Sequence, residues 1–276
     1  MNTSAFSVID VAKQAFVGAV LVDEPERGAA GIWSIACNDE SIFITHSGTH
    51  EVSVIDHKAM LNKFENYPDK SVLDYDLTFL YGIRKRIPLQ GNGPRNMILT
   101  SDKLIIPTYF ADILNFVDIN TCEVTSENLN PGREESTENK GERFFNDASH
   151  CFQNWQSCNG CHPGDARTDG MNWDLMNDGV GNPKNCKSLL FSHVTPPNMI
   201  SGIRASAEVA VRAGYNFIQF FDITEEDAVG VDAYLKSLRP VPSPYLVNGE
   251  LSELAKEGRK VFELSLIHIS EPTRRT

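Results

Sequence analysis

Two hydrophobic periodicities divide the chain. Up to Asn130, short apolar runs alternate with polar turns at the two-residue period of strands. From Pro131 onward, apolar positions recur at helical spacing between Gly/Asn/Asp-rich loops.

The strand-like part repeats itself. Ser7-Val-Ile-Asp10 returns as Ser53-Val-Ile-Asp56 and, more loosely, as Asn115-Phe-Val-Asp118. Upstream, Ile35-Ala-Cys-Asn-Asp-Glu-Ser-Ile42-Phe-Ile-Thr45 aligns without gaps on Met97-Ile-Leu-Thr-Ser-Asp-Lys-Leu104-Ile-Ile-Pro107. Each copy reads apolar run, polar turn, apolar run, turn, and an alternating strand ending in Asp, which predicts three antiparallel strands per unit. A repeat of this period signals a β-propeller or another stacked array. A small β-sandwich is the plainer alternative, but the register of the repeat disfavours it. The Asp-to-Asp spacing grows from 46 to 62 residues, and the extra residues around Met60–Leu89, with Pro68 and Pro88, read as a loop insertion. Two repeats and a strand fall short of the roughly four to eight blades of a closed propeller. Residues 1–130 therefore read as a partial all-β propeller, cut short at its N-terminus.

The helical part is expected to open at Arg133–Phe145, with Phe144 and Phe145 on the buried face. A further helix is predicted at Ser206–Ala213. Glu225–Leu238 is the clearest, with Ala228, Val231, Tyr234, Leu235 and Leu238 on one face, Thr224 as N-cap and Arg239-Pro240 as stop. Pro240, Pro242 and Pro244 then form a stiff linker. Beyond it, Ala255-Lys-Glu-Gly258-Arg-Lys-Val-Phe262 echoes Glu138-Asn-Lys-Gly141-Glu-Arg-Phe-Phe145. The expected domains are 131–244, a mainly α-helical cytochrome c-type unit, and 245–263, the start of a second such unit. Residues 264–276 resemble a translated sequencing adapter and are left out of the fold prediction. On that reading the chain continues past Glu263 in its natural form.

Charge and composition narrow the partners. A net charge of −12 without a basic cluster argues against nucleic acid. No apolar run approaches the roughly 18 residues of a membrane span, and the first ten residues lack a secretory signal pattern.

Chemistry concentrates in Cys151-Phe-Gln-Asn-Trp-Gln-Ser-Cys158-Asn-Gly-Cys161-His162. C-x-x-C-H is the signature of covalent c-type haem attachment: two thiols for the two vinyl groups and an imidazole behind them for the iron. Zinc would want a second paired motif, and a thioredoxin-type C-x-x-C a βαβ setting. Cys158 and Cys161 are thus the expected haem c attachment residues and His162 the proximal iron ligand. Cys37 and Cys122 read as packing or surface thiols, and whether Cys151 and Cys186 pair is left open. The sixth iron position has candidates in His193, Met171, Met176 and Met199, with the methionines favoured as core or haem-edge filler. Arg204 and Glu208 stand four apart, as an acid/base pair or an ordinary surface ion pair.

Gly141–Ala148, Cys151–Pro163 and Arg167–Asp174 resemble the bacterial di-haem cytochrome c peroxidases, in the subgroup with an N-terminal propeller of YVTN-like blades. Gly181–Ser188 and Gly202–Glu208 are similar to two further segments of that family, with Lys184, Cys186 and Ile203 departing from its pattern. The resemblance implies an oxidoreductase that reduces hydrogen peroxide with electrons from a small cytochrome c or copper protein. It implies Glu208, with Arg204, as catalytic groups and His193 as a displaceable distal ligand. It also implies a second haem c beyond Glu263 and a periplasmic or cell-surface location. The competing expectation is a non-catalytic haem protein for electron transfer or surface binding.

Overall fold

The computed structural model describes residues 3–173, 183–199 and 202–270. Met176 and the remainder of 174–182 lie outside the described residues. The chain divides into two compact units, Met1–Leu238 and Arg239–Thr276.

The first unit begins with a hairpin, β1 (Ala5–Asp10) and β2 (Ala15–Leu21). A four-stranded antiparallel sheet follows in chain order: β3 (Ile32–Cys37), β4 (Ser41–His46), β5 (Glu51–Asp56) and β6 (Arg84–Pro88). A second sheet is built the same way from β7 (Ile98–Leu99), β8 (Lys103–Thr108), β9 (Ile113–Asp118) and β10 (Val124–Asn128). The repeat therefore carries four strands per copy, and the aligned segments fall on β3–β4 and β7–β8.

The stretch expected as a loop insertion is largely ordered into elements. Asp56 ends β5 and caps α1 (His57–Glu65) by accepting from the Ala59 N–H at 2.8 Å, so Met60 and Phe64, four apart, both reach the core. A short α2 (Lys70–Leu73) and β6 complete it. The charges and Pro68 had obscured that i, i+4 pair.

Three apolar clusters hold these elements. Val20, Val22, Ile44, Ile55, Met60, Phe64 and Phe79 pack the hairpin and α1 onto the first sheet. Phe43, Val52, Leu104, Ile106 and Val117 fill the space between the two four-stranded sheets. The third cluster joins the helices α3 (Thr137–Asn146), α6 (Ala207–Gly214) and α7 (Glu225–Ser237), through Phe144, Phe145, Tyr215, Val231, Tyr234 and Leu235. Ser136, Ser206 and Thr224 cap these helices. At the α3–α7 crossing, a Cβ on Gly141 would stand 1.9 Å from the Gly230 carbonyl oxygen, so only glycine admits this approach. Between α3 and α6 the chain is mostly irregular, with the short helices α4 (Cys158–Cys161) and α5 (Pro163–Ala166) and the two-stranded pair β11 (Asn172–Trp173) and β12 (Lys184–Asn185).

The expected fold class, a propeller followed by a mainly helical haem domain, is not what the chain forms. Among the described residues there are four separate antiparallel sheets, and none closes into a ring. Each strand pairs only with its neighbours in a local meander, so the outer strands remain edges. The later region mixes short helices, a two-stranded sheet and loops. In the second unit, α8 (Glu253–Ser270) continues past the predicted Phe262 and through the first half of the adapter-like segment. No helix among the described residues is long and apolar enough to cross a membrane.

Candidate functional site

The Cys151–His162 segment is pinned to the β part at several points. Gly28 donates its N–H to the Gln153 carbonyl at 2.7 Å, and a Cβ there would meet Asn154 O at 2.4 Å. Arg86 holds Gly28 from behind by donating to its carbonyl, while its other contacts run to Glu51 and Glu24. Ala148 donates to Gly48 O at 2.9 Å, and His50 Nε2 meets the buried Asp147 carboxylate at 3.0 Å. The position of the C-x-x-C-H turn is thus fixed by residues more than a hundred positions upstream.

Cys158 opens the single turn α4 and Cys161 closes it, with His162 immediately after as a non-helical residue. His162 Nδ1 donates to the Arg167 carbonyl at 3.3 Å, which leaves Nε2 as the unprotonated nitrogen. Burial holds the imidazole below its ordinary pKa, and therefore neutral. Burial also pushes the thiols up, Cys158 to about 11 and Cys161 to about 12. The Cys158 sulfur faces the helical core: Gln219 Nε2 donates to it at 3.1 Å, beside the Tyr215 hydroxyl, which donates to Phe144 O at 3.1 Å. Cys161 is approached by Cys186, whose Sγ donates to the Cys161 main-chain carbonyl at 3.0 Å. The same Cys186 sulfur stands 3.4 Å from His162 Nδ1 and 3.9 Å from Nε2.

These residues fit a covalently held haem. The two thiols bracket one helical turn and the neutral imidazole has its second nitrogen anchored on a carbonyl, as metal-bound histidines do. Gln219 is buried, and its Oε1 has no hydrogen-bond partner. It belongs to a π-helical turn, Tyr215–Gln219, a distortion that recurs at functional sites. Around it Phe217 (65%), Phe220 (69%) and Phe152 (57%) stand exposed, with Phe152 and Phe220 edge to face. Such a group of uncovered aromatics suits a flat apolar ligand. Among the described residues no set of three His, Cys, Asp or Glu is arranged to hold a bare metal ion.

The other predicted residues are engaged elsewhere. His193 lies in a short turn packed against α6 and α7; its Nε2 meets Asp232 Oδ1 at 3.0 Å and its Nδ1 lies 3.4 Å from Ser192 Oγ. Arg212 holds the other oxygen of Asp232 at 2.7 Å, closing a His–Asp–Arg chain that the sequence reading did not find. Arg204 precedes α6 and pairs backbone to backbone with Asn198, while its guanidinium stands 5.8 Å from the Phe217 ring centre. Glu208 does not meet Arg204. It pairs with Lys236 at 2.9 Å, and that hydrogen bond leads the causes that bring its carboxyl down to about 2. Met171 and Met199 are exposed. Cys151 and Cys186 lie beside different thiols, and all six cysteines are free. Gln219, Tyr215 and Asp232 are not marked by the sequence, and Cys186 is marked only as a possible partner of Cys151, because each acts through a contact distant in the chain. The aromatic run Tyr215–Phe221 was the one signal that could have drawn attention to that turn.

No protein-family profile matches the chain. It is 29% identical over 136 residues to the hydrazine synthase subunit gamma of Kuenenia stuttgartiensis, covering 45% of this chain and 38% of that protein. Among solved structures, Kuenenia stuttgartiensis hydrazine synthase pressurised with 20 bar xenon is 27% identical, covers 47% of this chain and 45% of that one, and superposes with a TM-score of 0.41. A second hydrazine synthase structure from the same organism matches at 19% identity over 46% of this chain and 35% of that one, with a TM-score of 0.36. The chain thus spans less than half the length of these relatives. The sequence likeness overturns the resemblance to di-haem cytochrome c peroxidases, because the matched protein belongs to a different family. The shared C-x-x-C-H and its flanks had suggested the peroxidases, and a haem-attachment motif is common to many unrelated proteins.

Proposed function

We propose that this chain is a haem c-bearing redox subunit that works in an assembly with other chains. The observation that carries the reading is the Cys158–His162 turn, in which two thiols flank one helical turn and a neutral His162 is anchored through Nδ1 on Arg167 O. The distant likeness to a protein named as a synthase subunit supports the role in an assembly. When bound, haem c supplies one-electron transfer and an iron centre open to tuning by its surroundings. This chain's residues would do the rest. Cys158 and Cys161 would hold the porphyrin edge and His162 would ligate the iron through Nε2, its tautomer fixed by the Arg167 carbonyl. Gln219 and Tyr215 settle the Cys158 side, and Phe152, Phe217 and Phe220 screen it from water. Attachment of this kind belongs outside the cytoplasm, so the envelope is the proposed location.

Hydrogen peroxide is not part of this proposal. Glu208, kept ionised by Lys236, is poorly suited to carry a proton between two oxygens near neutral pH. The test is expression with a c-type maturation system, followed by acid–acetone extraction. Haem should stay with the chain, and a Cys158→Ala/Cys161→Ala variant should release it. Quantitative release from the unaltered chain contradicts the reading.

A further inference from the structure

The thiols of the C-x-x-C-H turn face different neighbours, and one of those neighbours is itself a cysteine. Cys186 follows β12, and two hydrogen bonds to its main chain fix its place. Its N–H donates to Met171 O at 2.9 Å and its carbonyl accepts from Thr168 Oγ1 at 2.9 Å, while the neighbouring Asp169 N–H ties this loop to Cys161 O at 3.3 Å. The result brings the Cys186 sulfur against the Cys161 carbonyl and beside the His162 ring. Cys158 is turned into the helical core by Gln219 and Tyr215, with the buried Cys151 on its side. Cys37 ends β3, and Cys122 lies in the turn between β9 and β10.

We propose that Cys161 and Cys186 form a reversible disulfide in the haem-free chain, and that this bond withholds Cys161 from the porphyrin and makes haem loading depend on thiol redox state; the second half rests on the haem c reading above. The exchange is balanced: both thiols lose their hydrogens, one S–S bond forms, and two electrons and two protons pass to a small disulfide such as oxidised glutathione, which becomes two thiols. A dithiol reductant reverses it. Attachment adds the Cys161 S–H across a vinyl group, so a Cys161 held in a disulfide has no hydrogen or free sulfur to contribute.

The experiment uses the full chain produced without haem, equilibrated with oxidised and reduced glutathione, alkylated and peptide-mapped. The oxidised chain should yield a Cys161–Cys186 cross-linked peptide with Cys151 and Cys158 alkylated. A Cys158–Cys161 bond, or six free thiols under the oxidising buffer, overturns the proposal. Haem uptake is then compared for reduced chain, oxidised chain and a Cys186→Ser variant whose far-ultraviolet dichroism matches the unaltered chain. Oxidation should lower uptake several-fold in the unaltered chain and leave Cys186→Ser unchanged. Equal uptake by oxidised and reduced chain overturns the gating. If no form takes up haem, the haem c reading fails and the gating with it, while the peptide map still decides the disulfide.

Discussion

Gly141→Ala offers a direct measure of how tightly the helical unit is built. The new Cβ would stand 1.9 Å from Gly230 O, 2.3 Å from its carbonyl carbon and 2.8 Å from Val231 N. All three are backbone atoms and cannot rotate away. To restore ordinary contact, α3 and α7 must part by about 1.5 Å, and a gap of even 0.5–1 Å forfeits roughly a quarter to a half of the dispersion energy across it. Phe144, Phe145, Val231, Tyr234 and Leu235 line that interface. Overpacking of this sort typically costs about 1–3 kcal/mol and occasionally more, against about 1 kcal/mol returned by alanine's helix propensity. Because the clash is with backbone, the cost falls at the upper end of that range, and the expected net loss is about 2 kcal/mol, or a fall in Tm of roughly 5 °C for a unit of this size. Gly258 holds the matching position in the echoing sequence on α8, and nothing lies within 4 Å of a Cβ there. Gly258→Ala should therefore stabilise its helix by about 1 kcal/mol. Thermal melts and amide exchange report both. If Gly141→Ala raises the melting temperature as Gly258→Ala raises helix protection, the close crossing of α3 and α7 is wrong.

Three further outcomes are open to measurement. Asp232 is buried between His193 and Arg212, so Asp232→Ala leaves two polar partners facing an empty site and should cost about 3 kcal/mol in urea unfolding; a loss below about 0.5 kcal/mol would refute the buried triad. Burial lowers the His46 pKa to about 4, whereas burial raises that of Asp23 to about 6. The folded chain therefore keeps His46 neutral, a contribution complete above pH 6.5 and lost as pH falls through 4. The protonated Asp23 contributes below its ordinary value and loses that contribution as pH rises through 6. Relative to a His46→Gln variant, the unaltered chain should lose up to about 3 kcal/mol between pH 6.5 and 4, and a flat difference would discount the buried neutral histidine. Finally, Cys158 and Cys161, with thiols at about 11 and 12, should react with iodoacetamide at pH 8 more slowly than the exposed Cys37; the reverse order would place them on the surface.

The sequence by itself was enough for local features whose causes are local. Thr224 caps α7 because its side-chain oxygen reaches an N–H three residues on, and the apolar spacing of Ala228, Val231 and Leu235 marks the face that α7 buries, whereas the start of α3 falls at Thr137, capped by Ser136, and not at Arg133. The repeat correctly placed the strand pairs β3–β4 and β7–β8, and the C-x-x-C-H run marked its own turn. What lay beyond was set by pairings distant along the chain. Whether two meanders join a ring depends on their edges meeting further sheets, which periodicity within a strand does not encode. The approach of Gly28 to Asn154, the turning of Cys158 toward Gln219, and the withdrawal of Glu208 to Lys236 all arise between residues 28 to 126 positions apart in the chain. Sequence spacing put Glu208 beside Arg204; tertiary packing gave it a different partner and so a different charge behaviour. The motif named the residues that can hold a haem, and the fold decided which way each sulfur faces and which third cysteine stands against them.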